Sequence, residues 1–383
     1  MAREDVAIVG AGIHPFGRHD GVTGLDMAVH AARAALADAG VSWSQIGFAA
    51  GGSDSAGNAD TTVSRLGLTG VPFINVKNGC ATGGSALTTA HAMLVAEAAD
   101  LALVVGFDKH PRGAFDPKPE EWGIGSWYGA TGLMLTTQFF GMKVQRYLAE
   151  HSIDPSILAT IAAKAFRNGA INPNAWRRTP LSEAEIAASA MINHPLTQYM
   201  FCSPGEGAVA LVLARGERAR ELRRDPVYLR SVAFRTRTFG TFEVFSPSIP
   251  VVSAPPPTTE AAAAAFEQAG IAPSEVDVAQ LQDTEAGAEL MHLAETGLCA
   301  HGEQERLIRD GETEIGGRIP VNTDGGCIAN GEPIGASGLR QVHEVVLQLR
   351  GTAGERQVPG SPKVGFTHVY GAPGVSACTV LSR

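Results

Sequence analysis

The chain is short of the features that tie a protein to a membrane, a metal or an oxidising compartment. No apolar run approaches the roughly 18 residues of a membrane span. The opening "MAREDVAIVGAG" goes straight into a strand-like run with no apolar leader segment, so no secretory signal is expected. The five cysteines (Cys80, Cys202, Cys299, Cys327 and Cys378) are far apart and form no Cys-x-x-Cys pair. That excludes the usual zinc spacings and suits free thiols in a reducing cytoplasm. His14, His19, His110, His194 and His301 are scattered and make no metal set. Basic charge is also scarce. A net charge of −9 argues against a general nucleic-acid or anionic-membrane surface. The one basic cluster, "RGERARELRR" at Arg215–Arg224, reads as a solvated connector. A dinucleotide fingerprint is missing too. Gly10, Gly12 and Gly17 have the wrong spacing, and His-Pro-Phe stands where a helix should open.

What is present is a chain of 383 residues, 44% hydrophobic, with 45 Gly and 22 Pro, long enough for two domains or one double-lobed core. It repeats itself. "AARAALADAGVSWSQIGFAA" (Ala31–Ala50) matches "AAAAAFEQAGIAPSEVDVAQ" (Ala261–Gln280), each an Ala-rich helix, a Gly that can end it, a connector and an apolar strand. "NGCATGGSAL" (Asn78–Leu87) then matches "NGEPIGASGL" (Asn330–Leu339), "VVGFDKH" matches "KVGFTHVYG", and "VALVLAR" matches "ACTVLSR", all in the same order. This is the signature of a tandem duplication. Each copy opens with its own strand, Asp5–Gly12 and Pro226–Arg235. Strand, helix, strand, Gly-rich loop, helix, strand, strand implies a mostly parallel sheet with helix layers. The halves are expected at residues 1–225 and 226–383. The first carries an insertion at about 111–203, and a long insertion leaving a sheet edge is more often a lid or binding element than scaffold.

Cys80 follows a strand-like run and opens "ATGGSALTTAHAMLVAEAA", apolar nearly all round and so expected as a buried helix. A thiol at a helix N-terminus meets unpaired N–H groups and the positive end of the dipole, both of which favour the nucleophilic thiolate. Gly83, Gly84 and Ser85 leave room for backbone or substrate to come close.

The duplicated unit, the Cys80 decamer, the insertion and "GGRIPVNTDGGCIANGEPIGASG" (Gly316–Gly338) together resemble the thiolase superfamily. The nearest kinds are the sterol-carrier-protein-type and bacterial lipid-transfer-type thiolases, among which some relatives are retro-aldolases. The resemblance spans essentially the whole chain. It implies a five-layered αβαβα fold of two duplicated mixed-sheet halves, a homodimer or dimer of dimers, and acyl-CoA substrates, with coenzyme A as substrate and no tightly bound cofactor or metal. Cys80 matches the cysteine that the family acylates.

The match also breaks. Where the family has the His of Gly-His-Pro, this chain has Glu332, a carboxylate that accepts hydrogen bonds but, when ionised, donates none. It would disfavour a Cys80 thiolate and repel an oxyanion, and it would have to serve protonated or as a general base. "LQDTEAG" (Leu281–Gly287) stands where the family has Asn-Glu-Ala-Phe or His-Asp-x-Phe, putting Gln282 and Asp283 at the site and Glu285 in place of an aromatic residue. Near the C-terminus His368 and Tyr370, ahead of Gly371, stand where typical thiolases have a second cysteine, with His368 as a proton shuttle at neutral pH. The expected catalytic set is therefore Cys80, His368, Glu332, Tyr370 and Gln282. Gly371, Asp283, Gly335 and Ser337 are expected around substrate and oxyanion, and Cys378 in the core.

The reading this favours is thiolytic cleavage of a bulky 3-ketoacyl-CoA through an acyl-Cys80 intermediate. The alternatives are retro-aldol cleavage of a 3-hydroxyacyl-CoA, such as a steroid side chain, with a small zinc-ribbon/OB-fold partner protein, and a non-catalytic acyl-CoA-binding or scaffold subunit.

Overall fold

The computed structural model describes residues 5–113, 115, 118–132, 136–241, 243, 254–372 and 374–383 (for residue 122, the backbone only). The first four residues of the N-terminal stretch and parts of the expected insertion lie outside these. No described helix is long and apolar enough to cross a membrane.

The strands that build the scaffold are β1 (Val6–Gly17), β2 (Phe48–Gly52), β3 (Phe73–Asn75), β4 (Leu101–Lys109), β5 (Glu206–Arg215), β6 (Val227–Thr236), β7 (Val278–Leu281), β8 (Val364–Gly371) and β9 (Val375–Ser382). They form one nine-stranded sheet in the order β3-β2-β4-β5-β1-β6-β9-β8-β7. The duplication is visible in that order. Outward from the β1–β6 seam, β1-β5-β4-β2 mirrors β6-β9-β8-β7. Where β3 pairs in parallel with β2, the second half has an isolated parallel bridge between Ala279 and Val321. The seam itself is short, with Ala7 opposite Tyr228 and Ile8 opposite Val227, antiparallel.

The sheet is mixed, as the family resemblance implies, and not mostly parallel as the order of elements alone suggests. β2 runs parallel to β3 and β4, and β7 to β8. The last two strands of each half are antiparallel, as are the pairs nearer the seam. In the second half the cause is local. β8 and β9 are joined by a tight turn with Gly371 opposite Val375, a connection that only an antiparallel pair can make.

The helices used below are α1 (Gly24–Ala39), α2 (Thr82–Val95), α3 (Thr136–His151), α4 (Ile157–Ala170), α5 (Pro257–Ala269), α6 (Ala286–Glu295), α7 (Gly326–Asn330) and α8 (Ser337–Arg350). α1 and α5 end alike, on Gly40 (φ 67°) and Gly270 (φ 65°), left-handed positions that glycine takes without steric cost. α2 and α8 lie between the two half-sheets, where Leu87, Leu94, Leu339, Val342 and Val346 share one core with Ile8, Val104, Leu211 and Leu229. α1 covers the other face of the first half, and α5 that of the second. The layers therefore run helix, sheet, helix, sheet, helix. From Thr88 onward only Ala90 and Leu94 of α2 stay buried and the rest is half-exposed or exposed, so it is not the all-round buried helix its composition suggests.

The insertion packs into a core that it shares with the second half. α3 and α4 pack Phe139, Phe140, Val144, Ile161 and Phe166 against Leu290 and Met291 of α6 and against Tyr370 at the end of β8. The basic connector is ion-paired at the surface, Arg215 to Asp100 at 2.7 Å and Arg223 to Asp38 at 2.8 Å.

Candidate active site

The two echoing loops meet at the N-termini of α2 and α8. A side chain at Gly83 would come within 2.8 Å of the Leu339 backbone nitrogen, and one at Gly84 within 2.4 Å of the Ala377 methyl. The small residues of the Cys80 loop thus serve contact between the two halves. Cys80 sits two residues ahead of α2, reached through Gly79 at φ 55°, whose carbonyl accepts from the Thr82 hydroxyl. Asn78 braces the loop by donating to the Ser85 hydroxyl at 2.7 Å.

The second loop presents Glu332, fully buried. Its backbone is zipped to the end of the insertion: its N–H donates to the Ser203 carbonyl at 2.8 Å, and its carbonyl accepts from Gly205 at 3.2 Å. One carboxylate oxygen accepts from the Gln282 amide at 3.0 Å; the other, Oε1, has no partner among the described residues. The carboxylate faces the Cys80 thiol. Burial first, and the Glu332 charge second, push that thiol's pKa well above its ordinary value. The helix N-terminus does not prevail, because burial of the thiol and, after it, the adjacent Glu332 charge outweigh partial backbone charges. At neutral pH Cys80 is a thiol. The expected result is that iodoacetamide alkylation of Cys80, followed by peptide mass, keeps rising with pH beyond 9; a plateau near pH 7 would contradict this placement.

The structure thus brings Cys80, Gln282 and Glu332 together and disperses other residues expected with them. Asp283 does not face substrate. Its carboxylate caps α7, accepting from the Cys327 N–H at 2.6 Å and the Ile328 N–H at 3.3 Å. Gly335 spends its N–H on Asp108 at 2.7 Å, and any side chain there would strike the Phe107 and Gly52 carbonyls. The Ser337 hydroxyl donates back to the Pro333 carbonyl at 3.2 Å, as Ser85 does to Ala81 in the first copy. Gly371 does lie against the Cys80 loop, its Cβ position 2.6 Å from the Asn78 carbonyl oxygen. Glu285 makes no polar pocket wall; it caps α6 through the Gly287 N–H, and burial pushes its pKa up to about 8.

His368 and Tyr370 point from β8 into a separate buried cluster. The His368 Nε2 lies 3.1 Å from the Thr258 hydroxyl and 3.2 Å from that of Ser376, and its Nδ1 has no partner among the described residues. Burial, then the neighbouring His292 and Lys143, hold its pKa well below the usual value, so it stays neutral. Tyr370 donates to Glu243, and the Lys143 ammonium lies 5.0 Å from its ring centroid and 3.6 Å from Glu243. His292 pairs with Glu295 at 2.8 Å.

Beside the Cys80–Glu332 pair a cavity of about 360 Å³ opens under the insertion, lined by Phe115, Phe140, Arg177, Ile192, Phe201 and Cys202 among others. Sequence reading missed Arg177, Cys202, Lys143 and Glu243 as site residues. All but Glu243 come from the insertion, and no local motif marks any of them.

A duplicated α/β scaffold whose two halves bring a cysteine loop and a polar loop against each other is the arrangement of the thiolase class of acyltransferases. Family comparison agrees: residues 6–178 match the "Thiolase, N-terminal domain" and residues 252–383 the "Thiolase C-terminal domain-like" model. The chain is 31% identical to an acetyl-CoA acetyltransferase of Methanothermobacter thermautotrophicus, covering 99% of this chain and 100% of that protein. It is 32% identical to rabbit (Oryctolagus cuniculus) sterol carrier protein 2, covering 98% of this chain and 71% of the relative. Among solved structures, the "Ltp2-ChsH2(DUF35) aldolase" superposes with a TM-score of 0.87 at 24% identity, over 99% of this chain and 97% of that one. The chain belongs to the thiolase family, and is a thiolase-like enzyme of acyl-CoA chemistry.

Proposed function

We propose that the protein cleaves a 3-ketoacyl-CoA by thiolysis through an acyl-Cys80 intermediate, with Glu332 as the base. The observation that carries this is the buried carboxylate against the thiol, with one oxygen unpartnered and the other held by Gln282. As the Cys80 sulfur attacks the 3-keto carbon, its proton passes to Glu332. The negative charge leaves the carboxylate just as it appears on the substrate oxygen, so the repulsion expected from a charge at this position is relieved when it would matter most. The Cys80 backbone N–H, which has no acceptor among the described residues, is the donor this loop offers to that oxygen. When the carbon–carbon bond breaks, the departing carbanion takes the proton held by Glu332. His368, kept neutral by burial, is a poor acid, which replaces its expected role as the shuttle. The CoA thiol then gives its proton to Glu332, attacks the acyl-Cys80 thioester and returns Cys80 to the thiol.

The same free oxygen supports a second reading. Glu332 could take the proton of a 3-hydroxyl and start a retro-aldol cleavage without Cys80, in which case a zinc-ribbon/OB-fold partner is the expected companion. Intact-protein mass separates the two. Thiolase chemistry predicts that acetyl-CoA or a longer acyl-CoA leaves one acyl group on the wild type and none on Cys80→Ala. A wild type that binds acyl-CoA yet stays unmodified would favour the retro-aldol reading.

A further inference from the structure

The cavity beside the active cysteine contains an uncompensated cation. Its walls are Phe115, Phe140, Ile192 and Phe201, with hydroxyl and amide groups between them; Arg177 is the only charged residue lining it among the described residues, and no carboxylate does. Arg177 is fixed but not neutralised. Its Nη1 donates to the Phe201 and Ile328 carbonyls, each at 2.9 Å, and its Nη2 donates to the Ser203 hydroxyl. That spends three of five N–H donors. The Nε–H and one Nη2–H, on adjacent nitrogens, have no acceptor among the described residues. The flat faces are occupied, with the Phe166 ring centroid at 5.9 Å and that of Trp176 at 5.8 Å, which leaves an edge of the guanidinium for a ligand.

Among the described residues, no acidic side chain forms a salt bridge with Arg177. Burial lowers its pKa, and the neighbours that oppose this are Cys202 and Tyr199, neither a carboxylate. The Cys202 thiol is itself driven well up by burial and by Glu332, so it supplies no anion at neutral pH. A largely buried guanidinium with a free two-donor edge is the arrangement that a carboxylate satisfies bidentately.

We infer that the acyl group of the substrate carries a carboxylate of its own, and that Arg177 binds it in the cavity under the insertion. The substrate class is then an acyl-CoA with a dicarboxylic acyl chain, its apolar part against the phenylalanines. This deepens the acyl-CoA reading above and rests on it for the point of attachment of the carboxylate. Phosphates of CoA share the anionic chemistry, but the phenylalanine-lined cavity suits a compact carboxylate better than a hydrated phosphate.

The test is calorimetric binding to wild type and to Arg177→Gln, using glutaryl-CoA, its uncharged counterpart valeryl-CoA, CoA itself and free glutarate. At least a tenfold preference of the wild type for glutaryl-CoA over valeryl-CoA is expected, lost in Arg177→Gln while valeryl-CoA binding is retained. The wild-type preference needs no variant to fold, and Arg177→Lys, which keeps charge without the fork, should recover only part of it. Equal binding of the two acyl-CoAs to the wild type overturns the proposal. So does loss of plain CoA binding in a folded Arg177→Gln, which would assign the arginine to a phosphate. Free glutarate bound through Arg177 with no CoA ligand bound would uphold the carboxylate site and sink the CoA reading. No binding of any of the four rejects both.

Discussion

Glu332→Gln should move two measurements in opposite directions. If Glu332 is the base proposed above, turnover falls about a hundred- to ten-thousand-fold, because the amide cannot take the Cys80 proton during attack. Alkylation of Cys80 at pH 8 becomes faster. Removing the buried negative charge lowers the thiol pKa towards its ordinary value, so more thiolate is present. The amide is nearly isosteric and can still meet Gln282, so the loop keeps its shape. If both rates fell together, the substitution would have damaged the site as a whole; unchanged turnover would remove Glu332 from the mechanism. Glu332→His is a useful third arm, since it offers a base without the resting charge.

The second large effect is on stability. Arg340, near the start of α8, is 1% exposed and pairs with Asp324, also 1% exposed; its Nη2 lies 3.6 Å from the Cys327 sulfur. Arg340→Met should cost about 3–5 kcal/mol, read as a lower denaturant midpoint at unchanged slope, because it strands the Asp324 charge in the interior. Asp283, whose charged form Arg340 also favours, loses that support. Arg340→Met combined with Asp324→Asn should recover much of the loss, since neither charge is then left alone. A single variant as stable as the wild type would show that solvent reaches this pair. α8 begins five residues after Glu332, so the single variant should also impair turnover.

The duplication could be read from the chain because it lives in local pattern. Gly40 and Gly270 end matching helices, and the two decamers keep their spacing over a separation of more than half the chain. The pairing of Cys80 with Glu332 followed from the same symmetry. Asp283 was misjudged because its partners, the N–H groups of α7, are brought to it only by the folded second half. His368 was placed by its position ahead of Gly371, but that position does not say which face of β8 it occupies or what waits there; the structure supplies Thr258, Ser376 and His292. Arg177 sits in an unremarkable "AWRRTP", and only the cavity shows that its edge is unspent.

The short seam between β1 and β6 has a consequence for how such a site can change over time. Cys80, the proposed nucleophile, belongs to one half and Glu332, its proposed proton acceptor, to the other, so each can change without the shared framework being altered. A single substitution at position 332 can redirect the reactivity of Cys80 without disturbing the loop that holds it. Symmetry in the ancestor becomes division of labour in the descendant, and chemical novelty enters through whichever copy is less constrained.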